Sequence, residues 1–108
     1  MPYGIFRIGV AHLLQSRIDD AIVWLEKARG ANAELPYARS HLASAYALRG
    51  ETELSATELA EARRLSLDGR YSSVARLQAT AYYGVPTIRA LYEATYFVGL
   101  RKAGMPEE

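Results

Sequence analysis

A period of 34 residues runs through this chain and restricts its fold more than any other feature of the sequence. When the sequence is shifted by 34 positions, Pro2 falls on Pro36 and Leu25 falls on Leu59. Identical residues also coincide at several further positions, namely Tyr3 with Tyr37, Ala11 with Ala45, Leu14 with Leu48, Ala28 with Ala62 and Arg29 with Arg63. A period of this length is typical of proteins built from stacked helical hairpins. The sequence therefore predicts an all-α fold with two antiparallel helical hairpins.

Small, large and turn-forming residues recur where a helical hairpin needs them. Gly9 is small where two helices must approach closely, and Leu25 fills the seam between small neighbours. Gly50 can adopt the left-handed conformation that ends a helix, and Ser16 stands at the matching position of the first unit. These positions predict helices near 2–15, 18–30, 36–49 and 52–66.

The C-terminal third of the chain follows the repeat less closely. A fifth helix is expected over about 71–83, and Pro86 suits the start of a sixth helix over about 87–103. Arg89 and Tyr96 stand in that sixth helix where small residues would be needed, so we expect a helical pair that caps the repeats. The predicted layout is one domain, 1–108, with repeat 1 at 2–35, repeat 2 at 36–69, a degenerate third unit and capping helix at 70–104, and a short tail at 105–108.

Composition excludes several classes of function. The net charge of +1 gives no broad electrostatic field, so we expect neither a nucleic-acid nor a membrane partner. The chain has no cysteine, which excludes disulfides and thiolate metal sites and fits the reducing cytoplasm. We find no phosphate-binding glycine loop, no close histidine pair and no nucleophile beside a base. No catalytic residue, cofactor or metal is therefore predicted.

The residue pattern inside each unit resembles the tetratricopeptide repeat family. The residues that carry the resemblance are Ile5, Ile8, Gly9, His12, Ser16, Ala21, Leu25 and Ala28 in the first unit, and Leu42, Ala43, Tyr46, Gly50, Ser55, Leu59 and Ala62 in the second. The departures are Arg39 at a usually bulky position, and Ala33 and Leu67 at the closing proline. The resemblance implies a tetratricopeptide-like α-solenoid that serves as a protein-interaction scaffold and not as an enzyme.

The end of the chain carries a second resemblance. The block from Gly99 to Glu107 follows a helix-breaking proline by about twenty residues and is similar to the C-terminus of bacterial class III adenylate cyclase-type proteins. It implies the C-terminal regulatory part of a cyclase-like signalling protein, or a stand-alone relative, without the catalytic carboxylates and sheet. Three alternatives remain open: the repeat module of a winged-helix transcriptional regulator, a stand-alone homodimeric adaptor and an enzyme with a helical fold.

The tetratricopeptide resemblance implies an inner groove that binds a protein or peptide. The candidate groove residues are Tyr3, Phe6, Val10, Tyr37, Ser40, His41, Ser44, Tyr71, Val74 and Gln78. Tyr3, Tyr37 and Tyr71 recur at one repeat position, where they would either form an aromatic ladder for a ligand or pack against the preceding helix. The Lys-Asn clamp by which some family members hold acidic C-terminal tails is absent, since its positions carry Phe6, Val10, Ser40 and Ser44.

The first helix is apolar on almost every side, which is unusual for the outer helix of a solenoid. An exposed apolar surface of this kind commonly marks an interface. We therefore expect possible homodimerisation through the first helix, with Ile5, Phe6, Val10 and Leu13 as candidate self-association residues.

The absence of a catalytic constellation in the sequence leads to a biochemical prediction. We expect the purified chain to convert neither ATP nor GTP in the presence of magnesium or manganese, as measured by chromatography of the nucleotides. Turnover above a buffer control that persists after repurification would contradict this expectation.

Overall fold

The computed structural model describes residues 2–80 and 85–108, except for the side chains of Pro2, Tyr3 and Thr80. Every regular element in this part of the chain is helical, which confirms the all-α prediction. The elements are α1 Pro2–Leu14, α2 Ile18–Ala31, α3 Pro36–Arg49, α4 Thr52–Leu65, a 3-10 turn Arg70–Ser72, α5 Val74–Thr80, α6 Pro86–Ala94 and α7 Tyr96–Lys102.

The 34-residue period is visible in the helix boundaries. Helix α4 begins and ends 34 residues after α2 does, and α3 begins 34 residues after α1. Ser16 and Gly50, which precede α2 and α4, both have positive φ angles, of 61° and 88°. This confirms that Gly50 ends α3 in the left-handed conformation, which glycine adopts without steric cost.

Each repeat forms a pair of contacting helices, α1 with α2 and α3 with α4. Gly9 lies where α1 meets α2, and a Cβ atom at this position would be 2.8 Å from Leu25 Cγ. The close approach that the sequence predicted at Gly9 is therefore confirmed. Helix α2 also contacts α3 and so joins the two pairs. The core between them is fully buried and contains Leu13, Leu25, Leu42, Tyr46 and Leu59.

A buried carboxylate holds three helices together at the junction of the repeats. Glu58 on α4 forms ion pairs with Arg29 on α2 and with Arg39 on α3, the latter at 2.8 Å. Arg39 also donates from Nη2 to the Ala33 carbonyl oxygen, at 3.2 Å, in the loop between the repeats. Arg29 therefore links the two repeats through charge, and Arg39, which departs from the tetratricopeptide pattern, links them through its hydrogen bond to Ala33.

The C-terminal segment folds differently from the sequence prediction. Residues 70–72 form a 3-10 turn before α5, and the rest of the predicted fifth helix, 81–83, lies outside the described residues. The prediction of one continuous helix over 87–103 is wrong, because the helix breaks at Thr95 into α6 and α7. The Thr95 hydroxyl donates to the Leu91 carbonyl oxygen at 2.7 Å, a back-bond that favours a bend. The break lets α7 pack against α3.

The last residues are fixed to the repeats. Gly104, with a φ of 103°, ends the turn after α7, and Met105 is buried in the core. The carbonyl oxygens of Pro106 and Glu107 accept hydrogen bonds from the Val74 and Ala75 amides, at 2.8 and 2.9 Å. These carbonyls satisfy amides in the first turn of α5 that have no partner within the helix. The tail predicted at 105–108 is therefore part of the packed structure.

None of the helices described has the length and apolar composition needed to cross a bilayer. The Cα atoms extend over 31, 30 and 27 Å along the three principal axes. These extents are nearly equal because the C-terminal segment folds back onto the repeats. The superhelical stacking expected of a tetratricopeptide solenoid stays a prediction.

The ion network predicts a stability effect at Glu58. Glu58→Gln removes the charge that Arg29 and Arg39 share, and we expect it to lower the free energy of unfolding by about 2–3 kcal/mol, since Arg29 remains partly solvated. Urea unfolding followed by circular dichroism measures this. The control is Glu61→Gln, whose partner Arg64 is mostly exposed and which should have little effect. Equal stabilities for the two variants would contradict the role given to Glu58.

Candidate partner-binding groove

The ten candidate groove residues lie on α1, on α3, in the 3-10 turn and on α5, and the chain's own C-terminal segment packs over several of them, while their role as a partner-binding groove stays a prediction. Helix α7 packs on α3, contacts α5 and continues into the tail. Of the ten candidate residues, Val10, Ser40, His41, Ser44, Tyr71 and Val74 are buried, Phe6 and Tyr37 are half-buried, Gln78 is exposed, and the side chain of Tyr3 lies outside the described part. We refer to Ser40, His41 and Ser44 as the groove floor.

The groove floor bonds directly to Tyr96, the first residue of α7. The Ser44 hydroxyl donates to the Tyr96 carbonyl oxygen at 2.8 Å. The Ser40 hydroxyl donates to the Tyr37 carbonyl oxygen at 3.0 Å, which leaves its oxygen to accept from the Tyr96 phenol at 2.9 Å. Both serines are fully buried, so these bonds satisfy groups that water cannot reach.

Gly99 allows α7 to lie directly against the backbone of α3. A Cβ atom at position 99 would be only 2.5 Å from the Ser44 carbonyl oxygen and 2.8 Å from its carbonyl carbon. Because these are backbone atoms, no side-chain rotation could make room for it. Gly99 therefore determines how closely α7 approaches the groove floor, as small residues do where helices pack most tightly.

His41 is surrounded by aromatic rings from three other helices. Its imidazole stacks on Tyr96 of α7, with ring centroids 4.2 Å apart and planes at 23°. Phe6 of α1 meets it edge-on at 5.0 Å, and Tyr92 of α6 does so at 6.2 Å. His41 thus brings α1, α6 and α7 together on α3, although the sequence placed it only at a groove or surface position.

The hydrogen bonds of His41 determine its tautomer and its charge. Its Nδ1 lies 2.6 Å from the Tyr37 carbonyl oxygen, which can only accept, so Nδ1 carries the proton. Its buried Nε2 has no hydrogen-bond partner among the described residues, and such a group costs roughly 1–3 kcal/mol. Burial lowers the pKa of His41 to about 4, and the bond to Tyr37 opposes this shift without cancelling it. His41 is therefore neutral at neutral pH.

Two side chains of α6 contact α5 and α3. Gln78 Nε2 on α5 donates to Glu93 Oε1 on α6 at 2.6 Å, while Tyr92 turns towards His41. No residue of α6 is buried, and Ile88 and Leu91 remain more than one-third exposed. The C-terminal segment is therefore attached to the rest of the chain more firmly through α7 and the tail than through α6.

Two tyrosines of the predicted ladder meet at a separate depression. Tyr37 and Tyr71 line a cavity of about 460 Å³ together with Pro36, Leu65, Ser66, Leu67, Asp68 and Arg70. The Tyr71 side chain is almost fully buried, and burial raises the pKa of its phenol. Tyr37 packs edge-on against Phe6, with ring centroids 4.8 Å apart. Both described tyrosines thus make packing contacts, and the ligand-binding ladder stays a prediction.

The apolar residues of α1 are largely covered within the chain. Val10 and Leu13 are buried, and Ile5 and Phe6 are half-buried. Ile8 is the most exposed large apolar side chain of α1, at 41%. Self-association through α1 stays a prediction, and Val10 and Leu13 offer no accessible surface to it in this conformation.

The sequence did not indicate that Tyr96, Gly99 and Glu93 would meet the groove. One signal was present, because a glycine inside an apolar helical stretch usually has a packing reason, and Gly99 lies between Phe97 and Leu100. Ser73 Oγ accepts a hydrogen bond from the Arg76 amide at 3.1 Å and so caps α5.

Comparison with known proteins finds no counterpart for this groove: no family model matches the chain, and neither a curated protein nor a solved structure matches it. Among the described residues, no group of three or more histidine or acidic side chains is placed to hold a metal ion.

The contact at Gly99 predicts that a glycine-to-alanine substitution inside a helix will lower stability. Alanine favours a helix over glycine, yet we expect Gly99→Ala to destabilise the protein by roughly 1–3 kcal/mol, because its methyl group would overlap the Ser44 backbone. The matched control is Gly30→Ala on α2, where a Cβ atom meets nothing within 4 Å. Thermal and urea unfolding of the two variants provide the measurement. A Gly99→Ala protein as stable as Gly30→Ala would contradict the close contact.

Proposed function

We propose that this chain is a protein-interaction module of the tetratricopeptide type, whose groove on α1, α3 and α5 holds a helical segment. The observation that carries the proposal is α7 itself, which lies along this surface and is bonded to the groove floor through Ser40 and Ser44. A surface that binds one helix by shape and by hydrogen bonds can bind another with the same features.

The resident helix indicates which features a partner helix needs. Tyr96 supplies an aromatic ring for His41 and a phenol for Ser40, and Gly99, three residues later, permits close approach at Ser44. Residues three apart lie on the same face of a helix. The partner we propose is therefore a protein segment that presents an aromatic residue and a small residue at this spacing on one helical face.

The tail supports the proposed cellular context. Gly99, Gly104, Met105 and Pro106 belong to the block that resembles adenylate cyclase-type C-termini, and each of them packs in the core, contacts α3 or α5, or lies in the turn after α7. The block and the repeats therefore act as one unit, which suits the C-terminal regulatory part of a cyclase-like signalling protein in the cytoplasm. An upstream cyclase domain in the genomic reading frame would support this context; an upstream winged helix would favour the transcriptional alternative.

A peptide added in trans tests the function directly. We expect a fluorescent peptide of residues 86–108 to bind Gly99→Ala protein, because this variant weakens its own α7 and leaves the groove floor unchanged. Fluorescence anisotropy measures the affinity. Wild-type protein and the Gly30→Ala control should bind the peptide at least tenfold more weakly, since their resident helix competes for the same surface.

A second peptide tests whether binding depends on the close contact with the Ser44 backbone. The same peptide carrying Gly99→Ala should not bind any of the three proteins, because its methyl group would meet the Ser44 backbone. If folded Gly99→Ala protein does not bind the unmodified peptide, or binds both peptides equally, the groove does not hold a helix in the proposed way.

A further inference from the structure

The two sides of α3 differ in how fully their buried polar groups are paired. Towards α4, Ala43 packs in the core beside Leu59, and the polar groups buried there, Ser55 and Glu58, both have partners. Towards α7, α3 buries the polar groove floor of Ser40, His41 and Ser44. A permanently dry interface favours apolar side chains, because each buried polar group must find a partner. A polar floor suits a surface that is sometimes exposed to water.

The closed groove leaves one of these polar groups unsatisfied. Ser40 and Ser44 find partners in Tyr96, but Nε2 of His41 has none among the described residues. Water would satisfy this atom as soon as α7 moved away from α3. Protonation of His41 would favour the open state further, since a charged imidazolium needs an acceptor at Nε2 and strong solvation.

We propose that the C-terminal segment, residues 85–108, is a proton-sensitive cover of the groove, and that protonation of His41 releases α6 and α7 from α3 so that a partner helix can enter. The proposal rests on the proposed function for the role of the open groove. The opening itself needs no partner and is measured without one.

Among the described residues, no charged side chain acts on the pKa of His41. The groups that face it are Phe6 from α1, Tyr37 and Ser40 from α3, Tyr92 from α6 and Tyr96 from α7. Phenols and hydroxyls carry no charge in the acid range, so none of them can stabilise an imidazolium by charge. The largest cause acting on its pKa is burial, which α7 provides together with α1 and α6.

The direction of the pH response follows from the two protonation states. Covered His41 has a pKa of about 4, against 6.5 for the ordinary group. The closed state is therefore fully favoured above about pH 6.5 and loses this advantage as the pH falls towards 4. With these values, the equilibrium constant for opening rises roughly 20-fold between pH 7 and pH 5.

The two pairs α1–α2 and α3–α4 can remain folded when the cover opens. Leu13, Leu25 and Leu59 belong to the core that joins these pairs, and the ion network of Glu58 also lies there. Helix α7 attaches mainly to α3, and its Phe97 and Leu100, which lie in the same core, are apolar residues that opening exposes. Opening is thus a local event, distinct from unfolding of the whole chain.

The absence of cysteine in the chain permits a test with matched single thiols. Ser44→Cys places a thiol under α7, and Ser55→Cys places one between α4 and α3, where the native Ser55 hydroxyl donates to the Ala43 carbonyl oxygen at 2.7 Å. Both serines are fully buried, so the pair differs in which interface must open. Labelling by a pyridyl disulfide, which also reacts in acid, is normalised at each pH to the same variant in urea.

We expect labelling of Ser44→Cys to accelerate roughly 20-fold from pH 7 to pH 5, while Ser55→Cys changes little. In a His41→Phe background, which keeps a ring for Tyr96 but cannot be protonated, the acceleration should disappear. Hydrogen exchange of residues 96–102 in the unmodified chain gives the same readout if a cysteine variant does not fold. Equal acceleration at both thiols, no acceleration at Ser44→Cys, or acceleration that persists with His41→Phe would each overturn the proposal.

Discussion

The contact of α7 with α3 determines the shape of this protein. Gly99 lets the two backbones approach, and Tyr96 bonds to Ser40 and Ser44 on the facing helix. Because α7 lies on α3, the tail reaches α5 and supplies the carbonyl oxygens that its first amides need. The end of the chain thereby packs against the start of α5 in the third unit.

Two interfaces of different chemical character hold the helices together. Between α2, α3 and α4, a buried carboxylate accepts two arginines above an apolar core, and this junction resembles an ordinary protein interior. Between α3 and α7, hydroxyl groups, a neutral histidine and aromatic rings form the contact beside the buried apolar side chain of Leu100. In the first interface the buried carboxylate is paired with two arginines, whereas the second interface leaves the His41 Nε2 without a described partner. The polar interface is therefore the better candidate for a movable one.

Under the proposed function, a partner helix must displace the helix that already lies on the groove floor. In this chain the occupant is covalently attached, so its local concentration is high and an external helix must compete with it. Any influence that weakens α7 raises the apparent affinity for the partner by the same free energy. The groove floor would thus have two roles, since the same residues would bind α7 in the closed state and a partner helix in the open state.

The sequence by itself determined the all-α class, the boundaries of the first four helices, the left-handed turn at Gly50 and the close approach at Gly9, because a 34-residue period fixes local geometry twice in the same way. Only the tertiary structure decided that the helix after Pro86 breaks at Thr95, and that the groove residues meet Tyr96 and Gly99. These contacts join residues more than fifty positions apart and occur once, so no periodicity could signal them. The physical reason is that repeats encode contacts between neighbouring units, whereas the position of a terminal segment depends on which surface the folded repeats leave uncovered.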